Sequence, residues 1–308
     1  SEGLAVYHLA AMVDDHLMGI THVFRTEEWL PTFPLHVHIY NAFGWEQPIW
    51  VHPSVFLKPS GKGKMSKRDT EAMALDGQSI FLTDLKDLGY IPEAVINWIA
   101  LMGWSYDDKT EFFTLQDLIE KFDIDKLNAA PTAVNFDKFD YFNGVHIRAL
   151  QPDDLAMRVK PFFENAGYKA DDETLKQIAP IIQQRIPSLD EAPNMAGFFF
   201  KETVTPAVED LIPKKTTPEQ ALAVARRALE ILEPLPEITH DNAEGPLRAL
   251  AEELSLKAGQ VFGVLRVAIT GQTVSPPLFE SMAIIGREKV LVRVKAAVEM
   301  LENVKREA

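Results

Sequence analysis

Five of the eleven residues in Lys58-Pro59-Ser60-Gly61-Lys62-Gly63-Lys64-Met65-Ser66-Lys67-Arg68 are basic and none is acidic, in a chain of 308 residues with a formal charge of −14. Gly61 and Gly63 leave the backbone free to turn and to approach a ligand closely. A cationic loop at the end of a strand is where an α/β sheet grips a polyphosphate. Ammonium groups aimed at a departing pyrophosphate stabilise charge that grows in the transition state, so they are catalytic as well as adhesive. Composition alone does not separate this loop from a solvated basic turn; the order of its residues does. Arg25 is a second candidate, because a guanidinium offers paired donors to a carboxylate in a fixed fork. By position alone, the plainer reading of Arg25 as a surface arginine paired with Glu27 or Glu28 is the stronger one. His8, His16, Asp14-Asp15 and His36-Val37-His38 invite a metal reading. Residues two apart on a helix point in different directions, and the spacing of His8 and His16 matches no ligand pattern, so no metal site is expected.

The elements that must position these groups follow from hydrophobic period. Leu9, Met12, Val13 and Leu17 recur at helical spacing within Tyr7 to Met18, and Gly19 ends that helix. Ile20 to Arg25 reads as a short strand with Arg25 at its carboxyl end, where ligands collect in open α/β sheets. Thr26 to Leu30 turns into a helix from Pro34 to Phe43 that Gly44 closes. Ile49 to Leu57 reads as a second strand, running into the basic loop. Residues 1–68 thus spell helix, strand, helix, strand, loop: half of a doubly wound sheet, with the other half expected upstream. Ser1 opens directly into a buried-looking pattern without an initiator Met, so the chain is expected to be a piece of a longer protein.

From Thr83 to Trp104 the pattern is helical, with Pro92 opening one helix. Thr114 caps a short helix, and Phe136 to Phe142 lie near another that Asn143-Gly144 is expected to end. Beyond residue 148 the chain reads as all helical: Asp153 to Ala166, Asp171 to Ile186, Thr217 to Leu232, Asn242 to Leu254 and Phe279 to Val304. Loops rich in Pro, Asp and Thr separate them, and no fixed-period repeat is present. Such a helical domain suits RNA, another subunit, or neither.

Composition bounds the rest. Apolar residues at 46% and charged residues at 25% describe an ordinary globular protein. No apolar run approaches the ~20 residues needed to cross a bilayer, and no signal peptide opens the sequence. With no cysteine, disulfides and thiolate zinc sites are excluded, which is compatible with a reducing cytoplasm. The charge is uneven: residues 1–147 sum to −10, 148–308 to −4, and 254–308 to +3. The tail is the least repulsive surface for a phosphate backbone.

The stretch from Val6 to Leu30, including Asp14-Asp15-His16-Leu17-Met18-Gly19, resembles the central segment of bacterial-type glutamyl-tRNA synthetases, a class I family. So do Phe43-Gly44-Trp45, Lys64-Met65-Ser66-Lys67-Arg68, Gly89 to Trp98, Leu101-Met102-Gly103-Trp104 and Lys138 to Gly144 with Ile147-Arg148. The resemblance covers nearly the whole chain. It implies ATP-dependent activation of glutamate and transfer to the 3′ end of its tRNA. By matching position, Tyr7, Ala11 and Arg25 line the glutamate pocket; Glu28, Trp29 and Leu57 face ATP; Lys64, Met65, Ser66, Lys67 and Arg68 hold its phosphates. Lys64 and Lys67 carry the catalytic charge, and Mg²⁺ arrives with the nucleotide. The implied architecture is α/β plus all-α: a partial doubly wound, Rossmann-like parallel sheet in 1–69, a helical stem-contact region in 70–148, and an all-helical anticodon-binding domain in 149–308. Arg185 resembles the position that reads the last anticodon base by its edge. A cytoplasmic monomer without zinc or membrane contact is implied. Two departures stand out: Ala11 occupies a place where the family commonly has Asn, and no His-Ile-Gly-His motif is present. The chain by itself is therefore expected to catalyse no glutamate-dependent pyrophosphate exchange. Glutaminyl relatives build the anticodon region from β-barrels and glutamyl-queuosine relatives lack it, so the helical second half disfavours both. A non-catalytic tRNA-binding or scaffold module of the same origin is the alternative, which the intact lysine loop disfavours.

Overall fold

The computed structural model describes residues 3, 5–66, 68–69, 78–128 and 130–307, with the backbone alone for 305–307. The chain divides into two compact units, Ser1–Val145 and His146–Ala308. Among the described residues no helix is long and apolar enough to cross a membrane.

The first unit opens with α1 (Tyr7–Leu17), which buries Met12 and ends where Gly19 adopts φ 67°. Strand β1 (His22–Phe24) leads into a 3₁₀ helix (Glu27–Thr32) and then α2 (Phe33–Phe43). Pro34 suits the first turn of α2, where its missing N–H costs nothing. Gly44 closes that helix at φ 68°, in the left-handed region that favours glycine. Strand β2 (Ile49–Val51) returns parallel to β1, setting His22, Val23 and Phe24 opposite Ile49, Trp50 and Val51. Two parallel strands need such a helical crossover, and α2 supplies it.

The single strand expected from Ile49 to Leu57 is two strands in two sheets. The first stops at Val51, ahead of Pro53, which has no N–H to donate to a ladder. After four residues β3 (Phe56–Leu57) pairs instead with β4 (Thr132–Ala133), again parallel. Between them come α3 (Leu82–Asp87), α4 (Pro92–Leu101) and α5 (Leu115–Lys121). Thr114 and Asp117 close a reciprocal cap at the start of α5. Trp98, Phe139 and Tyr90 stack at 4.1 Å centroid spacings, the centre of a core that also holds Met65, Leu85 and Val95.

Helix α6 (Phe136–Ala149) runs straight through Asn143-Gly144, where the sequence suggested a stop. The reason is tertiary. Asn143 is fully buried, its carbonyl oxygen accepts the Ile91 N–H at 2.9 Å, and its amide donates to the Gly89 carbonyl at 3.4 Å. The side chain that would favour a helix end is thus spent on capping the start of α4.

The second unit is helical throughout: α7 (Pro152–Asn165), α8 (Asp172–Ile182), α9 (Ala192–Ala196), α10 (Pro218–Leu232), α11 (His240–Glu253), α12 (Ala258–Thr270), α13 (Leu278–Ile285) and α14 (Arg287–Glu307). The expected starts at Asp171 and Thr217 are N-caps, each accepting a backbone N–H three residues on. Helix α8 ends four residues before Ile186, which precedes Pro187 and so avoids helical backbone. The single helix expected from Phe279 to Val304 is two, broken at Gly286 with φ 85° and ψ 152°, a conformation open essentially to glycine alone. Helix α12 has no counterpart in the sequence reading. Arg293, 1% exposed, donates to the carbonyls of Ile269 (2.7 Å), Phe198 (2.9 Å), Glu202 (3.4 Å) and Lys201. Burial pulls its pKa down to about 10, so it stays charged at neutral pH.

Candidate active site

Arg25 follows β1 and extends its pairing, donating its N–H to the Val51 carbonyl at 3.0 Å. His52 Nδ1 donates to the Arg25 carbonyl at 2.8 Å, so the backbone is held on both sides. The guanidinium lies over the rings of Tyr7 (5.7 Å) and Trp29 (5.5 Å), which themselves pack at 5.3 Å. Weak hydration and a flat face let a guanidinium stack this way. Asp15 stands 3.8 Å away. The paired glutamates that position alone suggested are not its partners: Arg25 meets Asp15, while Glu28 is bound by Lys64.

Behind the guanidinium lies a histidine pair, His8 with His36, where the sequence reading weighed His8 with His16 and His36 with His38. Arg25 donates to His36 Nδ1 at 3.2 Å, and His36 Nε2 and His8 Nδ1 share a hydrogen bond at 2.9 Å. Arg25 can only donate, so the His36 nitrogen that accepts from it carries no proton and the ring is neutral. Burial, then the charges of Arg25 and His8, lower the His36 pKa from its ordinary value. His36 is 1% exposed and His38 is exposed, as their two-residue spacing on α2 requires. His16 goes elsewhere, stacking on Trp45 at 3.9 Å. Among the described residues no three His, Asp or Glu side chains gather as a metal site.

The lysine loop is a hairpin on β3. Met65 N–H donates to the Phe56 carbonyl at 2.8 Å and Lys58 N–H to the Gly63 carbonyl at 3.0 Å. The turn passes through Gly61 and Gly63 at φ 72° and 79°. Met65 is buried in the core beneath, which anchors the returning arm. Lys64 bonds to Glu28, and Glu28 is the neighbour of Trp29 on the 3₁₀ helix. The loop base is fixed by Asp69, which pairs with Lys58 at 2.6 Å and accepts the Ser66 N–H at 3.0 Å and the Ser66 hydroxyl at 2.5 Å. Lys58, then Ser66, hold the Asp69 carboxyl below the usual carboxylate range.

Tyr7, Arg25, Trp29, Glu28 and Lys64 therefore form one contiguous set within the first unit. Ala11 sits one helical turn from Tyr7 and is half-buried; Leu57 pairs with Lys64; Ser66 and Arg68 are exposed. Lys67 lies outside the described residues. Arg185 is in the second unit, exposed in the turn after α8. The sequence reading missed Asp15, His36, Lys58 and Asp69 as partners. Only Ser66-Lys67-Arg68-Asp69 carried a local signal, the spacing of a helix cap; Asp15 and His36 meet Arg25 through tertiary packing.

A parallel strand pair with an arginine after one strand, and a lysine hairpin on a strand of a second parallel pair, match a known architecture. Residues 1–141 match the family described as tRNA synthetases class I (E and Q), catalytic domain, and residues 154–298 match the anticodon binding domain. Glutamate–tRNA ligases from a Roseiflexus species and from Herpetosiphon aurantiacus are 43% and 42% identical over 96% and 98% of the chain. The chain spans 58% and 61% of their lengths. A solved glutamate–tRNA ligase from Elizabethkingia meningosepticum, in complex with its amino acid, superposes with TM-score 0.82 at 30% identity, over 97% of this chain and 61% of that one. Residues 1–141 thus match the class I (E and Q) tRNA synthetase catalytic domain and residues 154–298 the anticodon binding domain, and the chain as a whole is similar to part of a glutamate–tRNA ligase.

Proposed function

We propose that this chain supplies the carboxylate-side and phosphate-side machinery of a glutamate–tRNA ligase, together with its anticodon-reading domain. One observation carries the reading: the stacked guanidinium of Arg25 and the hairpin lysine Lys64 are joined through Trp29 and Glu28. Arg25 takes a glutamate carboxylate between the rings of Tyr7 and Trp29, with Ala11 on the same face of α1. Without the amide of an asparagine at Ala11, the pocket has one donor fewer for glutamate.

ATP lies between Trp29, Glu28 and the Leu57 backbone on one side and the loop on the other. The glutamate carboxylate attacks the α-phosphorus, the bond to the β-phosphate oxygen breaks, and pyrophosphate carries away the charge. Lys64, Lys67 and Arg68, with the Ser66 hydroxyl and the backbone at Met65, hold that charge as it develops. Lys64 must exchange Glu28 for a phosphate oxygen, so nucleotide binding opens that ion pair. Mg²⁺ comes with the nucleotide's phosphates. The second unit holds tRNA(Glu), Arg185 reading an anticodon base edge. The enzyme acts as a monomer in the cytoplasm.

The sequence contains no His-Ile-Gly-His motif, so residues 1–308 alone give no glutamate-dependent pyrophosphate exchange; measurable exchange with this chain contradicts the proposed division of labour. When the missing catalytic half is restored by fusion to that of the Roseiflexus relative, Lys67→Ala lowers aminoacylation about 100-fold or more, the range for a lost transition-state donor. Undiminished aminoacylation defeats the role given to the loop.

A further inference from the structure

His36 is placed to steer Arg25 without neutralising it. Helix α2 carries the imidazole beneath the guanidinium, where His36 is 1% exposed. Arg25 Nη1 approaches both ring nitrogens, Nδ1 at 3.2 Å and Nε2 at 3.4 Å. The ring itself has little freedom. Trp50 of β2 lies nearly parallel to it at 6.1 Å and 21°, and His8 of α1 shares a hydrogen bond with its Nε2 at 2.9 Å. Side chains from α1 and β2 thus lock a ring on α2, and the locked ring faces the guanidinium.

A neutral acceptor differs from a carboxylate in what it leaves behind. A carboxylate in this place would bond Arg25 and cancel its charge. Imidazole takes the hydrogen bond and leaves the positive charge for an incoming anion. The carboxylate of Asp15 is kept back: its Oδ2 stands 3.8 Å from Nη2 and makes no hydrogen bond. Burial and the charge of Arg25 lower the His36 pKa, which keeps the acceptor unprotonated at neutral pH. The Arg25 side chain is 12% exposed, so a ligand meets only a narrow edge of it, and the direction of that edge is set from behind. Stacking on Tyr7 and Trp29 fixes the plane of the guanidinium but not its rotation within that plane; a directional hydrogen bond fixes the rotation.

We propose that His36 is a positioning residue for amino-acid capture: its unprotonated ring nitrogen, held by His8 and Trp50, aims Arg25 at the glutamate carboxylate. His36 acts only through Arg25, so this role rests on the carboxylate pocket proposed above. What it adds is that the pocket uses the acceptor lone pair of the ring rather than its bulk.

In the restored enzyme, pyrophosphate exchange gives the KM for glutamate, the KM for ATP and kcat. His36→Leu keeps apolar volume and removes the acceptor. It raises the KM for glutamate about tenfold, the size of a lost hydrogen bond to a charged group, and leaves the KM for ATP and kcat within about twofold. His36→Asn returns an acceptor near the Nδ1 position and recovers most of the loss. On an Arg25→Lys background, His36→Leu adds less than about a twofold change, because its effect passes through the guanidinium. A purely structural role impairs the Leu and Asn variants alike, moves both KM values, or adds in full on the Arg25→Lys background; any of these overturns the proposal. The pocket is tested apart from it. An unchanged glutamate KM in Arg25→Lys defeats the carboxylate role itself, whereas an impaired Arg25→Lys beside a silent His36→Leu removes only His36. Should His36→Leu fail to fold, the ¹⁵N resonances of the His36 ring in the unaltered chain decide. One nitrogen without a proton at neutral pH, its resonance moved by Arg25→Lys, is expected; a doubly protonated ring, or one indifferent to Arg25→Lys, overturns the proposal.

Discussion

The guanidinium of Arg25 is held by stacking and by the neutral His36 ring, so under the proposed function it is aimed before glutamate arrives. Lysine in its place keeps the charge but loses both the fork and the flat face that lies over Tyr7 and Trp29. Arg25→Lys in the restored enzyme raises the KM for glutamate about 10- to 100-fold, the loss of ~1.4–3 kcal/mol expected of a charge-assisted bidentate pair. The KM for ATP moves little, and pyrophosphate-exchange kinetics separate the two.

His36 makes a pH prediction. Its folded pKa is depressed by burial and by Arg25, so between that value and the ordinary 6.5 the unfolded chain binds the extra proton. The neutral ring's contribution is complete above pH 6.5 and is lost as pH falls below it. Urea unfolding of the chain shows a stability that declines from pH 7.5 to pH 5.5, and His36→Asn flattens that slope. An unchanged slope removes His36 from the account. Type and place after a strand made Arg25 a candidate carboxylate clamp, although position alone favoured a surface pair with Glu27 or Glu28. Its cage was not legible, because His36 is eleven residues away along the chain and meets Arg25 only when α2 folds back across β1. The same holds for Lys64, whose partner Glu28 lies 36 residues earlier.

At the scale of elements, local signals were read correctly where the decisive atoms are close in sequence. Pro92 and Pro34 open helices, Gly19 and Gly44 close them, and Thr114 and Thr217 cap. Thr217→Ala costs about 1 kcal/mol in the unfolding of the chain, the usual worth of an N-cap oxygen. The errors fall where a distant partner or a rare backbone conformation decides. Asn143-Gly144 carries a stop signal that the Ile91 and Gly89 backbone overrules. Gly286 sits inside a long apolar period, so the period suggested one helix where φ 85° and ψ 152° make two. Gly286→Ala forces a side chain into that region and costs roughly 1–3 kcal/mol, measured as a lowered urea midpoint; a neutral substitution contradicts the assigned break. Pro53 was visible in the expected strand, and the first sheet ends at Val51, two residues before it.

For the whole molecule, the proposed function gives the two units two kinds of work: small molecules at the strand ends of the first, and a nucleic acid along the helices of the second. The helical second half gave its architecture by periodicity alone, while its internal lock, Arg293 on four carbonyls, was invisible in the sequence. Its partners are backbone atoms, which leave no residue-type signature. The central claim is that the hairpin cation and the caged guanidinium serve one reaction from opposite sides, and glutamate-dependent pyrophosphate exchange in the restored enzyme tests it directly when Lys64→Ala is compared with the unaltered protein. The account predicts that kcat falls about 100-fold or more while the KM for glutamate stays within about twofold, since Lys64 meets phosphate charge in the transition state and never touches the amino acid. An unchanged kcat, or a loss confined to the KM for glutamate, contradicts it.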